Sequence, residues 1–220
     1  MRRLIIIPVI ILTALAPLNA QDTTKASPVS LGMDLYSTYV WRGTVFSGPS
    51  LQPYVTLTLG GFKLGAWGSQ GFDGFQEMDL FASYSLKFGL TMGITDYYYP
   101  GKNYFDLTDT SGAHGFEVNL GYSIAGFSVS GNYMLNEAGG AGTTGGDMYF
   151  ELGYSISNFS IFAGAGDGWH TSDGEFMLCN IGVGATKEIK ITDNFSIPVI
   201  GKVILNPEKE QFYIVAGLAF

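Results

Sequence analysis

The chain has 220 residues, enough for a single domain, and a formal net charge of −8, which argues against nucleic acid as a partner. Only 14% of residues are charged, while 15% are aromatic and 31 are glycine, a balance that suits a barrel with tight turns better than a soluble helical protein. Cys179 is the only cysteine, and His114 and His170 are the only histidines; this excludes an intrachain disulfide and leaves little material for a metal centre, so neither metal nor cofactor is expected.

Arg2 and Arg3 precede a mostly apolar run from Leu4 to Leu15, and small residues follow up to Ala20. This pattern predicts a secretory signal peptide over residues 1–20, cut before Gln21, then a short periplasmic lead-in over 21–28. Beyond residue 20 no stretch has the roughly 18 consecutive apolar residues that a membrane helix needs. A membrane protein built from the rest has to be a barrel.

From Val29 onward, segments of strand length alternate with turn residues. About twelve are predicted, at 29–43, 50–60, 62–70, 75–88, 90–99, 114–124, 127–136, 147–157, 159–167, 177–190, 195–206 and 211–220. Three show the alternation most plainly. Met78, Leu80, Ala82, Tyr84, Leu86 and Phe88 oppose Glu77, Asp79, Ser83, Ser85 and Lys87. Phe116, Val118, Leu120, Tyr122 and Ile124 oppose Glu117, Asn119, Gly121 and Ser123. Met148, Phe150, Leu152, Tyr154 and Ile156 oppose Asp147, Glu151 and Ser155. A cation facing lipid at mid-bilayer costs roughly 2–4 kcal/mol and an acid less, so the apolar face looks outward.

The connections sort into two sets. Every second one is short: Gly60-Gly61, Gly89, Ala125-Gly126, Asn158 and Thr192-Asp193-Asn194. The others, at 44–49, 71–74, 100–113, 137–146, 168–176 and 207–210, are longer, as in outer-membrane barrels with short periplasmic turns and long external loops. Two acidic or basic positions fall on the outward parity: Asp96, near an outer rim, where a bulge would turn it inward, and Lys187, near a periplasmic end, where it would snorkel. Cys179 also falls on an apolar position and reads as a small hydrophobe, buried or facing lipid.

The last segment, QFYIVAGLAF, places Phe212, Ile214, Ala216, Leu218 and Phe220 on one apolar face. It resembles the C-terminal insertion signal of bacterial outer-membrane barrels. That resemblance implies recognition of Phe212, Ile214, Leu218 and Phe220 by the barrel-assembly machinery. The order LYSTYVWRG (Leu35 to Gly43), GAWGSQ (Gly65 to Gln70), EMDLFASY (Glu77 to Tyr84), YYYPG (Tyr97 to Gly101) and FEVNLGYS (Phe116 to Ser123) resembles the TorF-type porins, also labelled Gcw_chp. The resemblance is strongest over the first half of the mature chain, with Tyr39-Val40-Trp41-Arg42-Gly43 its most specific element. It implies a barrel of porin function in the outer membrane of a Gram-negative bacterium.

The predicted fold is therefore all-β: a transmembrane antiparallel up-and-down barrel of about twelve strands over 29–220, embedded in outer-membrane lipid. Arg42, Glu77, Asp79, Glu117, Glu151, Lys202 and Trp67 are the expected pore-lining residues, with Tyr36, Tyr54, Phe81, Tyr97 and Tyr99 as further inward aromatics. A carboxylate excess at the mouth favours cations, so passive, mildly cation-preferring passage of small polar solutes is the expected function, and an enzyme is not. The first alternative is a closed structural or adhesion barrel whose charges pair across a side-chain-filled lumen. The second is a lipid hydrolase using His170 and Ser172, whose spacing puts both on one face of an extended segment. Oxygen-rich side chains in the same loop, Asp167, Asp173 and Glu175, are candidates for Ca²⁺, although a solvated acidic loop is the plainer reading. No stretch is long enough for the plug domain of an energy-coupled transporter.

Overall fold

The computed structural model describes residues 27–220; the expected signal peptide and most of the expected lead-in lie outside them. In chain order the strands are β1 (Val29–Tyr36), β2 (Tyr39–Trp41), β3 (Thr44–Ser47), β4 (Ser50–Leu59), β5 (Phe62–Gly71), β6 (Gln76–Ser85), β7 (Leu90–Tyr98) and β8 (His114–Ile124). They continue as β9 (Phe127–Met134), β10 (Glu137–Ala138), β11 (Thr143–Thr144), β12 (Met148–Ile156), β13 (Phe159–Gly166), β14 (Met177–Thr192), β15 (Phe195–Asn206) and β16 (Gln211–Ala219). Twelve of them close into one antiparallel barrel in the order β1-β16-β15-β14-β13-β12-β9-β8-β7-β6-β5-β4. Closure runs through β1 and β16, with Asp34 opposite Ala219 and Tyr36 opposite Gly217.

Alternation sets which face looks out. Leu64, Leu80, Val118, Leu120, Phe150, Leu152, Ile161, Val183, Phe212 and Ile214 form an exposed apolar exterior, while Glu77, Asp79, Glu117 and Glu151 are buried inside. A closed barrel leaves no backbone edge unpaired, as a strand-built membrane span requires. The short connections are hairpins whose residues suit the twist. Ala125 (φ 50°) and Gly126 (φ 89°) both take the left-handed region, the signature of a two-residue primed turn.

One predicted strand is overturned. The run 29–43 does not continue up the wall: β1 ends at Tyr36, and the chain folds back as the separate hairpin β2–β3. Arg42 (φ 48°) and Gly43 (φ 82°) make its tip. Tyr39-Val40-Trp41 and Thr44-Val45-Phe46 are made of β-branched and aromatic residues, so a hairpin signal was present at Arg42-Gly43, although arginine is not the usual first turn residue.

Three smaller differences have clear causes. Asp96 keeps its outward parity without a bulge, because His114 beside it on β8 holds it through Nδ1 at 2.8 Å, with Tyr104 packed over the imidazole. Lys187 lies on a β14–β15 extension that neighbouring strands do not pair: β13 stops opposite Ala185, and β16 stops opposite Val199. At Cys179 the β13–β14 register shifts, Gly164 facing Asn180 and Ala165 facing Leu178, and the bulge turns the thiol into a fully buried position.

Candidate functional site

The two ends of the barrel interior differ in what fills them. Toward the short turns many inward positions are small and polar, among them Ser83, Ser85, Thr91, Ser123, Ser128, Ser130 and Ser155, with Lys63 opposite Ser83. Toward the long connections the interior is crossed by the β2–β3 hairpin.

This hairpin acts as a strap. Tyr39 packs on Trp67 (ring centroids 5.5 Å) in a cluster with Tyr54 and Phe81, while Val40 packs on a second inward cluster of Tyr36, Ile200, Ile204, Val215 and Ala219. The tip docks at the ends of β14 and β15. Asn206 Nδ2 donates to the Gly43 carbonyl at 2.9 Å, and Lys209 Nζ donates to Thr44 Oγ1 at 3.2 Å. A Cβ on Gly43 would collide with the Cys179 carbonyl oxygen, so glycine is required by contact as well as by its positive φ.

Arg42 is the strap's charged anchor. Its Nη1 and Nη2 donate to both Glu117 oxygens, at 2.6 and 2.9 Å, a bidentate pair. Tyr97 and Asn119 also donate to Glu117, at 3.0 and 2.6 Å. The guanidinium lies 4.3 Å from the Trp41 ring centroid and 4.6 Å from that of Tyr149. A neighbouring network joins Tyr149 and Asn180 to Glu151, at 2.6 and 3.0 Å. Lys202 stands inside near the Tyr36 ring, 5.8 Å from its centroid.

Above the strap a cavity of about 370 Å³ opens between the long connections, lined by Trp41, Phe46, Phe75, Tyr99, Trp169 and the glycines of the 139–142 segment. The 3-10 turn Gly168–His170 dips into this end, and His170 is wedged between Trp41 (5.2 Å) and Tyr149 (5.0 Å). Burial, aided by the charges of Arg42 and Lys209, pushes the His170 imidazole down to about 2. Ser172 stands apart, exposed, with its backbone N–H donating to Glu208 Oε1 at 2.9 Å. Among the described residues no hydrogen bond joins His170 to Ser172, and no group of three or more His, Cys, Asp or Glu side chains gathers to hold a metal.

Of the residues singled out from the sequence as pore-lining, Trp67, Glu77, Asp79, Glu117 and Glu151 are buried on the inner face, and Lys202 stands beside inward Tyr36. The structure adds that Arg42 arrives there on the strap rather than on the wall, already paired with Glu117. Sequence reasoning missed Tyr149, Asn180 and Asn206, which share no motif, and the inward apolar residues Ile200 and Ile204. Their strand, β15, is apolar on both faces, so alternation gives no sign of which side looks in.

The family model described as "Bacterial protein of unknown function (Gcw_chp)" matches residues 20–196, most of the chain. The chain belongs to the Gcw_chp family. No curated protein matches it. Among solved structures, this Gcw_chp barrel is similar to a triple mutant of Rh. blastica porin, with 15% identity, TM-score 0.42, and coverage of 78% of this chain and 55% of that one. A second engineered mutant of the same porin gives 15% identity and TM-score 0.43 with the same coverage. The chain thus spans about half the length of the porin chains it matches.

Proposed function

We propose that this Gcw_chp barrel sits in an outer membrane, long connections outward, as a narrow diffusion channel for small polar solutes whose constriction is the β2–β3 strap. The observation that carries this reading is the lumen's division: small polar side chains line one half, and a docked hairpin narrows the other. The apolar exterior supports the membrane setting. Inward carboxylates, at Asp34, Glu77, Asp79, Glu117, Asp147 and Glu151, outnumber the inward cations Arg42, Lys63 and Lys202, which favours cation passage. The aromatic cavity above the strap is the entry vestibule.

The test is reversal potential across a planar bilayer under a KCl gradient, with EDTA present. A cation-shifted potential that moves toward zero in Asp34→Asn with Glu151→Gln supports the reading. A clear anion preference overturns it. The strap and the two inward apolar clusters favour a second reading, a closed barrel whose aromatic cavity holds a partner or ligand. Correctly folded protein that never conducts selects that reading.

A further inference from the structure

Four buried side-chain oxygens on the inner face of β4, β5 and β6 have no hydrogen-bond partner: Gln52 Oε1, Ser69 Oγ, Glu77 Oε2 and Asp79 Oδ1. Their residues are 1%, 4%, 5% and 7% exposed, so bulk solvent does not reach them. They are also neighbours. Ser69 is directly opposite Glu77, and Trp67 is opposite Asp79. On the other side, the pairs Leu51 with Gln70 and Tyr54 with Trp67 bracket Gln52 at the level of Ser69. Directly opposed inward side chains start about 5 Å apart, and Glu77 and Asp79 are two residues apart on one face, about 7 Å. Two carboxylates, an amide oxygen and a hydroxyl therefore converge on one patch. Among the described residues no lysine or arginine pairs with either acid, since the interior ion pair is the one between Arg42 and Glu117.

The Tyr39 and Tyr99 hydroxyls face Glu77, but Glu77 Oε2 and Asp79 Oδ1 keep no hydrogen bond, and two buried carboxylates side by side are costly. We propose that the inner face of β4–β6 is a binding site for a hard divalent cation of the Ca²⁺ type, held by Gln52 Oε1, Ser69 Oγ, Glu77 Oε2 and Asp79 Oδ1. Oxygen-only donors of this kind suit hard cations, and Ca²⁺ tolerates the irregular geometry of strand-borne ligands better than Mg²⁺, with water completing its shell. The charge of the ion matches that of the two acids. Tyr39 on the strap packs against Trp67 beside this patch, so a bound ion fastens the strap side of the wall. The proposal does not need the lumen to conduct, and its failure leaves the channel reading untouched.

The experiment uses the refolded barrel in detergent, stripped with EDTA and titrated with Tb³⁺ while exciting tryptophan, because Trp67 lies beside the patch; CaCl₂ is then added as competitor. The expected result is a saturable one-to-one signal displaced by Ca²⁺, with thermal unfolding raised by Ca²⁺. Glu77→Gln with Asp79→Asn abolishes both. Gln52→Met and Ser69→Ala, which keep both acids and test the site if the double variant does not fold, each weaken binding about tenfold. Glu137→Gln, on an exposed connection, leaves it unchanged. A wild-type barrel with no saturable, Ca²⁺-displaceable signal overturns the proposal, and so does binding that survives in the folded double variant or is unaffected in both single variants.

Discussion

The barrel's two halves are made by the same strands with opposite contents. The short-turn half is a wall lined by serines and threonines, where side chains make few bonds to one another; Ser85 with Thr91 at 2.8 Å is one such pair. The long-connection half is a network in which a strap, a 3-10 turn and inward aromatics hold one another. The lesson is that the barrel wall needs only alternation, whereas what crosses the lumen needs individual partners. Substitutions in the two halves should therefore behave differently.

The largest effect is expected for Arg42→Ala. It leaves Glu117 buried without its bidentate partner, a loss of about 3–5 kcal/mol by the general cost of breaking a buried pair. Urea unfolding of the refolded barrel measures it, and Glu117→Gln with Arg42→Met should recover much of the loss.

Acidification comes next. His170 has its folded value depressed to about 2 against an ordinary value of 6.5, so it is neutral in the folded loop and binds a proton more readily once the loop opens. The stability it contributes is fully present above about pH 6.5 and falls by about 1.4 kcal/mol for each pH unit below that. Proteolysis of the 168–176 loop should accelerate on going from pH 7.5 to 4.5 in wild type and much less in His170→Asn.

Gly43→Ala tests docking of the tip. A positive φ and a collision with the Cys179 carbonyl predict a loss of about 1–3 kcal/mol and greater accessibility of the Cys179 thiol to alkylation. The smallest effect belongs to the other half: Ser130→Ala should change stability by less than about 0.5 kcal/mol. A large loss there would break the contrast between the halves.

Most of the wall could be read from the sequence because strand alternation is local. The fourth, sixth and eighth predicted segments, for instance, keep their assigned parities within β6, β8 and β12, although Leu86, Lys87 and Phe88, expected to extend the fourth, fall in the turn after Ser85. The interior was less legible because its contacts join residues far apart in the chain. The Asn206 bond to Gly43 spans 163 positions, and that of Lys209 to Thr44 spans 165. Nothing local distinguishes a strand that continues up the wall from one that turns in after Tyr36. Asp96 shows the same limit: its partner His114 belongs to the next strand, and only the register brings them together.

The most direct test of the strap as constriction is single-channel conductance in planar bilayers, comparing wild type with a variant in which residues 38–48 are replaced by a Gly-Ser-Gly link. Wild type is expected to give small steps, and the variant without the strap several-fold larger, less cation-selective ones in a barrel that still folds. Equal conductance from the two folded proteins would rule out the strap as the constriction.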